Sequence, residues 1–186
     1  CIRDRVIAVV DGAGDRHVVE TRKAPRGRRV ETIREVVEGS GQVQEHVGSR
    51  TFSFPATAFW QAHSQAPAAY TQLVTEWLGQ REYQERTAWD LYGGVGLFVP
   101  ALAAAVQGKV ISVDYSPAAT AAEQPCLADC DVELKSAKVE QVAAQLPKPG
   151  AVVLDPPRTG AGKDVIRSVA AAAPQAVVHV LSLIHI

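Results

Sequence analysis

From residue 87 to residue 180 the chain alternates short apolar runs with helical periods, and that alternation narrows its folding options more than any other feature. TAWDL (87–91), KVISVD (109–114), DVEL (131–134), AVVLD (151–155) and AVVHV (176–180) read as strands. Val152, Val153 and Leu154 read as a strand buried on both faces. LFVPALAAAVQ (97–107) reads as a helix that tolerates Pro100 only in its first turn. A short helix is expected after Pro117, another over Val139 to Leu146, and a third over KDVIRSVAAAA (163–173). Repeated βα units of this kind build an α/β fold, a Rossmann-like doubly wound parallel sheet.

Before this region the pattern is different. In SQAPAAYTQLVTEWL (64–78), Tyr70, Leu73, Val74, Trp77 and Leu78 follow helical spacing, with Ser64 as the expected N-cap. Residues 1–58 read as part of a β-rich antiparallel domain: RVIAVV, HVVE, ETIREVVE and RTFSF are strand candidates, and DGAGD and GSG are turns. RKAPRGRR (22–29) carries five basic residues and no acid, and reads either as a solvated loop or as an arm that contacts phosphates. The expected domains are 1–58 and 59–180, with 181–186 as a tail.

Composition removes several function classes. The chain has 186 residues, 47% of them hydrophobic, and a formal net charge of −1, so no global charge marks it for nucleic acid. No apolar run approaches a membrane span, and no signal-peptide pattern opens the chain. Its three cysteines, Cys1, Cys126 and Cys130, form no disulfide framework, and CLADC lacks the partners of a metal site. A reducing cytoplasm is the expected setting. The chain has no Met and begins with Cys, which reads as a fragment.

Chemistry gathers at the strand ends. Val152 to Leu154 end in Asp155, and Pro156 and Pro157 cannot extend the ladder. Asp155 therefore stands at the carboxyl edge of the sheet, where such folds bind ligands. The first strand runs into DLYGGVGLF, whose glycines admit a ligand close to the backbone. A dinucleotide loop wants a third glycine, and Val99 stands in its place. Asp114 ends the second strand, 18 residues past Gly96, where a carboxylate can accept two ribose hydroxyls.

The pattern Asp90-x-Tyr92-x-Gly94-x-Gly96 resembles the first motif of S-adenosylmethionine-dependent methyltransferases, which implies the class I fold. DPPRTGAG (155–162) and FWQAH (59–63), in this order around the glycine loop, resemble the RNA uracil-5-methyltransferase family. The resemblance covers roughly residues 43 to 180. It implies S-adenosyl-L-methionine as cofactor and ribosomal or transfer RNA as partner. It assigns Gln61, Tyr92, Asp114 and Asp155 to the cofactor, and Phe59 and Arg158 to the substrate. Phe59 would stack on the target base. One of Phe59 and Trp60 is expected in the core, because neighbours in a strand point opposite ways. Leu97 stands where some members have Asn, and Lys138 where an acid would meet the adenine.

The resemblance implies methyl transfer to carbon 5 of uridine, with a cysteine thiolate adding to carbon 6 and a general base removing the proton. The family places that cysteine just after the fifth strand. Here no cysteine follows Cys130, so the chain as given is expected to be inactive. Its tail, LSLIHI, can be encoded by a transposon end used to attach sequencing adapters, so residues 181–186 are expected to be non-native. Two other readings stay open: an NAD-dependent oxidoreductase of the same architecture, and a non-catalytic RNA-binding module.

Overall fold

The computed structural model describes residues 5–26, 29–61, 63–116 and 124–181. The helix expected after Pro117 and the tail beyond Leu181 lie outside them. The chain divides after Ser64 into two units.

In the first unit β1 (Arg5–Val10), β2 (Arg16–Arg26) and β3 (Arg29–Glu38) form an antiparallel sheet in that order, and β4 (Gln42–Val47) pairs with β5 (Arg50–Pro55). The described residues of the basic stretch are therefore strand rather than loop. β2 carries it to Arg26, and β3 resumes at Arg29. β4 was missing from the expected strands because Glu45 sits among its alternating positions, opposite Phe52. Val43, Val47, Phe52 and Phe54 point inward with the period of two that a half-buried strand requires. Asp11 ties the β1–β2 turn to β4. Its carboxylate accepts the N–H groups of Ala13, Asp15 and Gln44 and contacts His17 Nε2 at 3.3 Å.

The second unit opens with α1 (Ala66–Leu78). Its N-cap is Gln65, whose side chain makes no capping bond, rather than Ser64, because Pro67 in the first turn sets the start. Val74 and Leu78 are buried as expected, while Leu73 and Trp77 are 41% and 51% exposed, so the buried stripe is narrower than the spacing implied. β6 (Thr87–Leu91), α2 (Val99–Val106), β7 (Lys109–Asp114), β8 (Val132–Ser136), α3 (Val139–Val142), β9 (Ala151–Leu154), α4 (Lys163–Ala172) and β10 (Ala176–His179) follow. The helix expected over 139–146 breaks after Val142 into a 3-10 turn, Ala143–Gln145.

These five strands make one parallel sheet in the order β10–β9–β6–β7–β8. β7 and β8 extend from β6 on one side, and β9 and β10 on the other. The direction reverses between β6 and β9, and the crevice beyond their carboxyl ends is where such sheets bind ligands. Trp89, Leu91, Ile111, Val113, Val152 and Leu154 form one face of the core with α3 and α4. Alternation turns Asp90 and Ser112, a register pair, to the opposite face, on which α2 packs.

Candidate functional site

Three carboxylates mark the carboxyl edge: Asp90 on β6, Asp114 at the end of β7 and Asp155 just past β9. Between the first two runs the loop from Tyr92 to Gly96. Tyr92 takes a left-handed φ of +64°, and its N–H and that of Gly93 both donate to the Val113 carbonyl, at 2.9 and 3.2 Å. Gly94 N–H donates to Asp114 Oδ2 at 2.9 Å, and Gly96 N–H to the Gly93 carbonyl at 2.8 Å. The Ser116 N–H donates to the other Asp114 oxygen. The loop thus spends four of its five N–H donors on its own scaffold. Each carboxylate oxygen has about two acceptor sites, so Asp114 keeps acceptor capacity beyond these two bonds.

The two adjacent glycines serve different ends. A Cβ on Gly93 would come within 2.3 Å of Asp90 Oδ2 and Ser112 Oγ, so the loop can sit on the buried acid only as glycine. A Cβ on Gly94 would meet nothing within 4 Å, and its φ is +54°. Open space in front of Gly94 is the room a ligand needs.

Beneath Gly93, Asp90 is 1% exposed and accepts the Ser112 hydroxyl at 2.9 Å. Burial pushes its carboxyl up to about 7, against the Ser112 bond; Asp155 and Asp114 add like-charge repulsion. Burial likewise lifts Asp155 to about 6. The Tyr92 hydroxyl lies 3.2 Å from Glu140 Oε1 and 3.1 Å from the Ala161 carbonyl, and burial followed by Glu140 pushes it up to about 12.

Beside Tyr92 opens a cleft of about 500 Å³ lined by Tyr92, Tyr115, Lys138, Val139, Glu140 and Gln141. The Lys138 ammonium lies 5.6 Å from the centroid of the Tyr115 ring, within cation–π range. Sequence reasoning missed Asp90, Tyr115 and Glu140 as site residues. The first two had a signal: Asp90 opens the glycine motif, and Tyr115 directly follows a strand-end acid. Glu140 had none, since only the fold of α3 brings it to Tyr92.

Of the expected site residues, Tyr92, Asp114 and Asp155 come together here. Arg158 is exposed in the turn that closes from Pro157 to Gly160. Phe59 and Gln61 belong to the first unit. There Phe59 is 79% exposed, and Trp60 packs on Phe54 at 4.9 Å and Phe52 at 6.2 Å between ring centroids. Trp60 is therefore the core member of that pair. Cys130 precedes β8, and the carbonyl of its neighbour Asp131 accepts from Val110 at the start of β7. That places Cys130 at the amino edge of the sheet, opposite the three carboxylates. Among the described residues no group of three His, Cys, Asp or Glu is arranged to hold a metal ion. No described helix is long and apolar enough to cross a membrane.

No protein-family model matches the chain. A protein of Corynebacterium glutamicum named as an uncharacterized RNA methyltransferase is 51% identical over 180 residues, covering 94% of this chain and 44% of its own length. This chain belongs to an RNA methyltransferase family. A more distant relative is the 23S rRNA (uracil(747)-C(5))-methyltransferase of Shewanella halifaxensis, 32% identical over 127 residues, which cover 66% of this chain and 33% of the relative. The fold matches that of a Pyrococcus abyssi tRNA (uracil-54, C5)-methyltransferase solved with S-adenosyl-L-homocysteine. That match has a TM-score of 0.62 at 20% identity, over 86% of this chain and 40% of the other. The chain spans less than half the length of the curated corynebacterial relatives it matches.

Proposed function

We propose that this chain carries the S-adenosyl-L-methionine site of an RNA methyltransferase, and that the whole protein methylates carbon 5 of uridine in ribosomal or transfer RNA. The observation that carries the cofactor is the loop's use of its donors. A pyrophosphate needs spare backbone N–H groups at the glycine turn. Here the N–H groups of Tyr92, Gly93, Gly94 and Gly96 are already bonded to the Val113 carbonyl, to Asp114 and to Gly93. Three carboxylates around the loop would also repel a dinucleotide and favour a cation. An NAD-dependent oxidoreductase is disfavoured on both counts.

The residues present fit the group. Asp114 offers its remaining lone pairs to the ribose hydroxyls, and the open space before Gly94 admits the chain of the methionine part. The Tyr115 ring and the cleft toward Lys138 and Glu140 suit a flat heterocycle. When bound, the cofactor supplies a methyl group on a sulfonium. Asp155 stands at the edge from which that methyl would leave, and Gln61 contributes to the cofactor by its place in the family motif. Phe59, exposed in the first unit, offers a stacking ring to an unpaired base, and Arg158 a cation to the RNA backbone.

Support for uridine carbon 5 comes from DPPR at 155–158, from FWQ at 59–61, and from the activity in the name of the Shewanella relative. The thiolate that this chemistry requires at carbon 6 belongs, by the family motif, to a segment after β10.

Calorimetric titration with S-adenosylmethionine and with NAD tests the cofactor. Preferential binding of S-adenosylmethionine is expected, and tighter NAD binding would reverse the assignment. Asp114→Ala should weaken the cofactor by about 1.5–3 kcal/mol, the worth of hydrogen bonds to a charged group. An unchanged affinity would remove Asp114 from the site.

A further inference from the structure

Among the described residues β1 pairs with β2 from Arg16 to Thr21. Beyond Thr21, β2 has β3 as its ladder partner, from Arg22 opposite Ile33 to Arg26 opposite Arg29. Five register pairs at about 3.4 Å per residue make a two-stranded ribbon roughly 14 Å long. Among the described residues β3 is an edge strand of this sheet.

Charge is segregated along this hairpin. Near β1 acids outnumber bases: Arg16 pairs with Glu38 at 3.4 Å, and Glu20 and Glu35 stand opposite each other. The segment from Arg22 to Arg34 holds six basic residues and one acid, Glu31, and so carries +5. The whole chain carries −1, so everything outside this segment sums to −6. A local excess of that size in an acidic chain is not a by-product of composition. Arg22, Lys23 and Arg34 form no ion pair among the described residues, and Lys23 and Arg34 are exposed. Lys23 and Arg34 share one face as diagonal neighbours, and Arg22 is on the other.

We propose that this ribbon is an RNA-binding arm that grips the sugar–phosphate backbone without reading its sequence. The proposal rests on the reading of the protein as an RNA methyltransferase. Cations on both faces suit a strand that wraps the ribbon, and a twisted two-stranded ribbon presents its cations at steps that several successive phosphates can meet. An edge strand with unpaired N–H and C=O groups invites other chains, and a run of like charge on it keeps them off while leaving it open to polyanions.

The test is binding of a labelled single-stranded RNA to the 186-residue chain, followed across a salt series. Each phosphate neutralised contributes about 0.7 to the slope of log affinity against log salt on a single strand. The triple substitution Arg22→Gln, Lys23→Gln and Arg34→Gln should lower that slope by about 2 and cut affinity roughly tenfold or more at 0.1 M salt. Lys23→Gln alone should lower the slope by about 0.7, and keeps the test available if the triple variant fails to fold. Unchanged slope and affinity in variants that melt like the parent would overturn the arm while leaving the RNA reading intact. Displacement of the RNA by poly-glutamate at equal charge concentration would also overturn it, by showing an arm for acidic proteins. If the parent chain binds no RNA at all, the arm is overturned, while the family, which rests on sequence identity, stands.

Discussion

Gly93 and Gly94 are neighbours of one residue type with separable duties, and the separation can be measured. Gly93→Ala drives a methyl group into Asp90 and Ser112, both buried, so it should destabilise the fold by about 1–3 kcal/mol. Gly94→Ala meets no atom, and its cost in the folded chain is the backbone strain of a left-handed residue, about 1–2 kcal/mol. Its methyl group fills the space before the loop, so its larger effect should fall on cofactor affinity. Thermal melts and calorimetry on both variants check this; equal cofactor loss in the two would merge their roles. Asp90 supplies a pH prediction. Its carboxyl holds a proton more tightly folded, at about 7, than at its ordinary 3.8. The stability from that protonation is complete below about pH 3.8 and declines as pH rises to 7. Asp155 adds a change of the same sign, ending at about 6. Melting temperatures of the parent should therefore fall from pH 4 to 7 relative to Asp90→Asn, and parallel curves would show that Asp90 does not titrate in this window.

At the scale of elements, α2 connects the loop to the sheet. It begins three residues past Gly96 and packs on β6, β7 and β9, with Leu102 wholly buried. Leu102→Ala should cost about 2–5 kcal/mol in denaturant unfolding. Leu73→Ala on α1, at 41% exposure, should cost under about 1 kcal/mol. The contrast also shows the limit of reading faces from periodicity. Leu73 and Leu78 both lie on the apolar stripe of α1, and only packing separates them. Element identity was more legible. The three central strands of the parallel sheet, β6, β7 and β9, stand where largely apolar runs of four to six residues end in turn signals, since strands buried on both faces leave a nearly unbroken apolar record, while the edge strands β8 and β10 are only partly buried. β4 left no such record, because Glu45 interrupts its alternation. Its carboxyl is raised above its ordinary value, mainly by burial and then by Asp11. The basic stretch misled for a related reason: charge and proline mimic a loop, yet an edge ribbon accepts both.

For the molecule as a whole, the distribution of thiols along the parallel sheet makes a prediction about covalent chemistry. Cys130 stands at the amino edge, one strand length from the carboxylates, and Cys126 is the middle residue of the 3-10 turn Pro125–Leu127 that leads to it. A five-residue strand spans about 16 Å, far beyond the reach of a cysteine side chain. The 186-residue chain incubated with RNA containing 5-fluorouridine should therefore give no denaturation-resistant protein–RNA complex through either thiol. Such a complex, mapped to Cys126 or Cys130, would contradict the placement of both.

The sequence alone determined the class of fold and the corners of the site. Apolar runs that alternate with helical periods admit little besides a doubly wound sheet. Glycines, strand-end acids and paired prolines have backbone consequences that hold wherever they occur, so Tyr92, Asp114 and Asp155 were legible in advance. Only the tertiary structure decided what lies between them. That Asp90 is buried against Ser112, that Gly93 seals it, that Glu140 reaches Tyr92, and that the loop has spent the N–H groups of Tyr92, Gly93 and Gly94 all depend on contacts across 20 to 48 residues of sequence. Propensity and periodicity are local. Desolvation and hydrogen-bond satisfaction depend on whatever the fold brings near, and those two effects set the charge, the room and the remaining donors of this site.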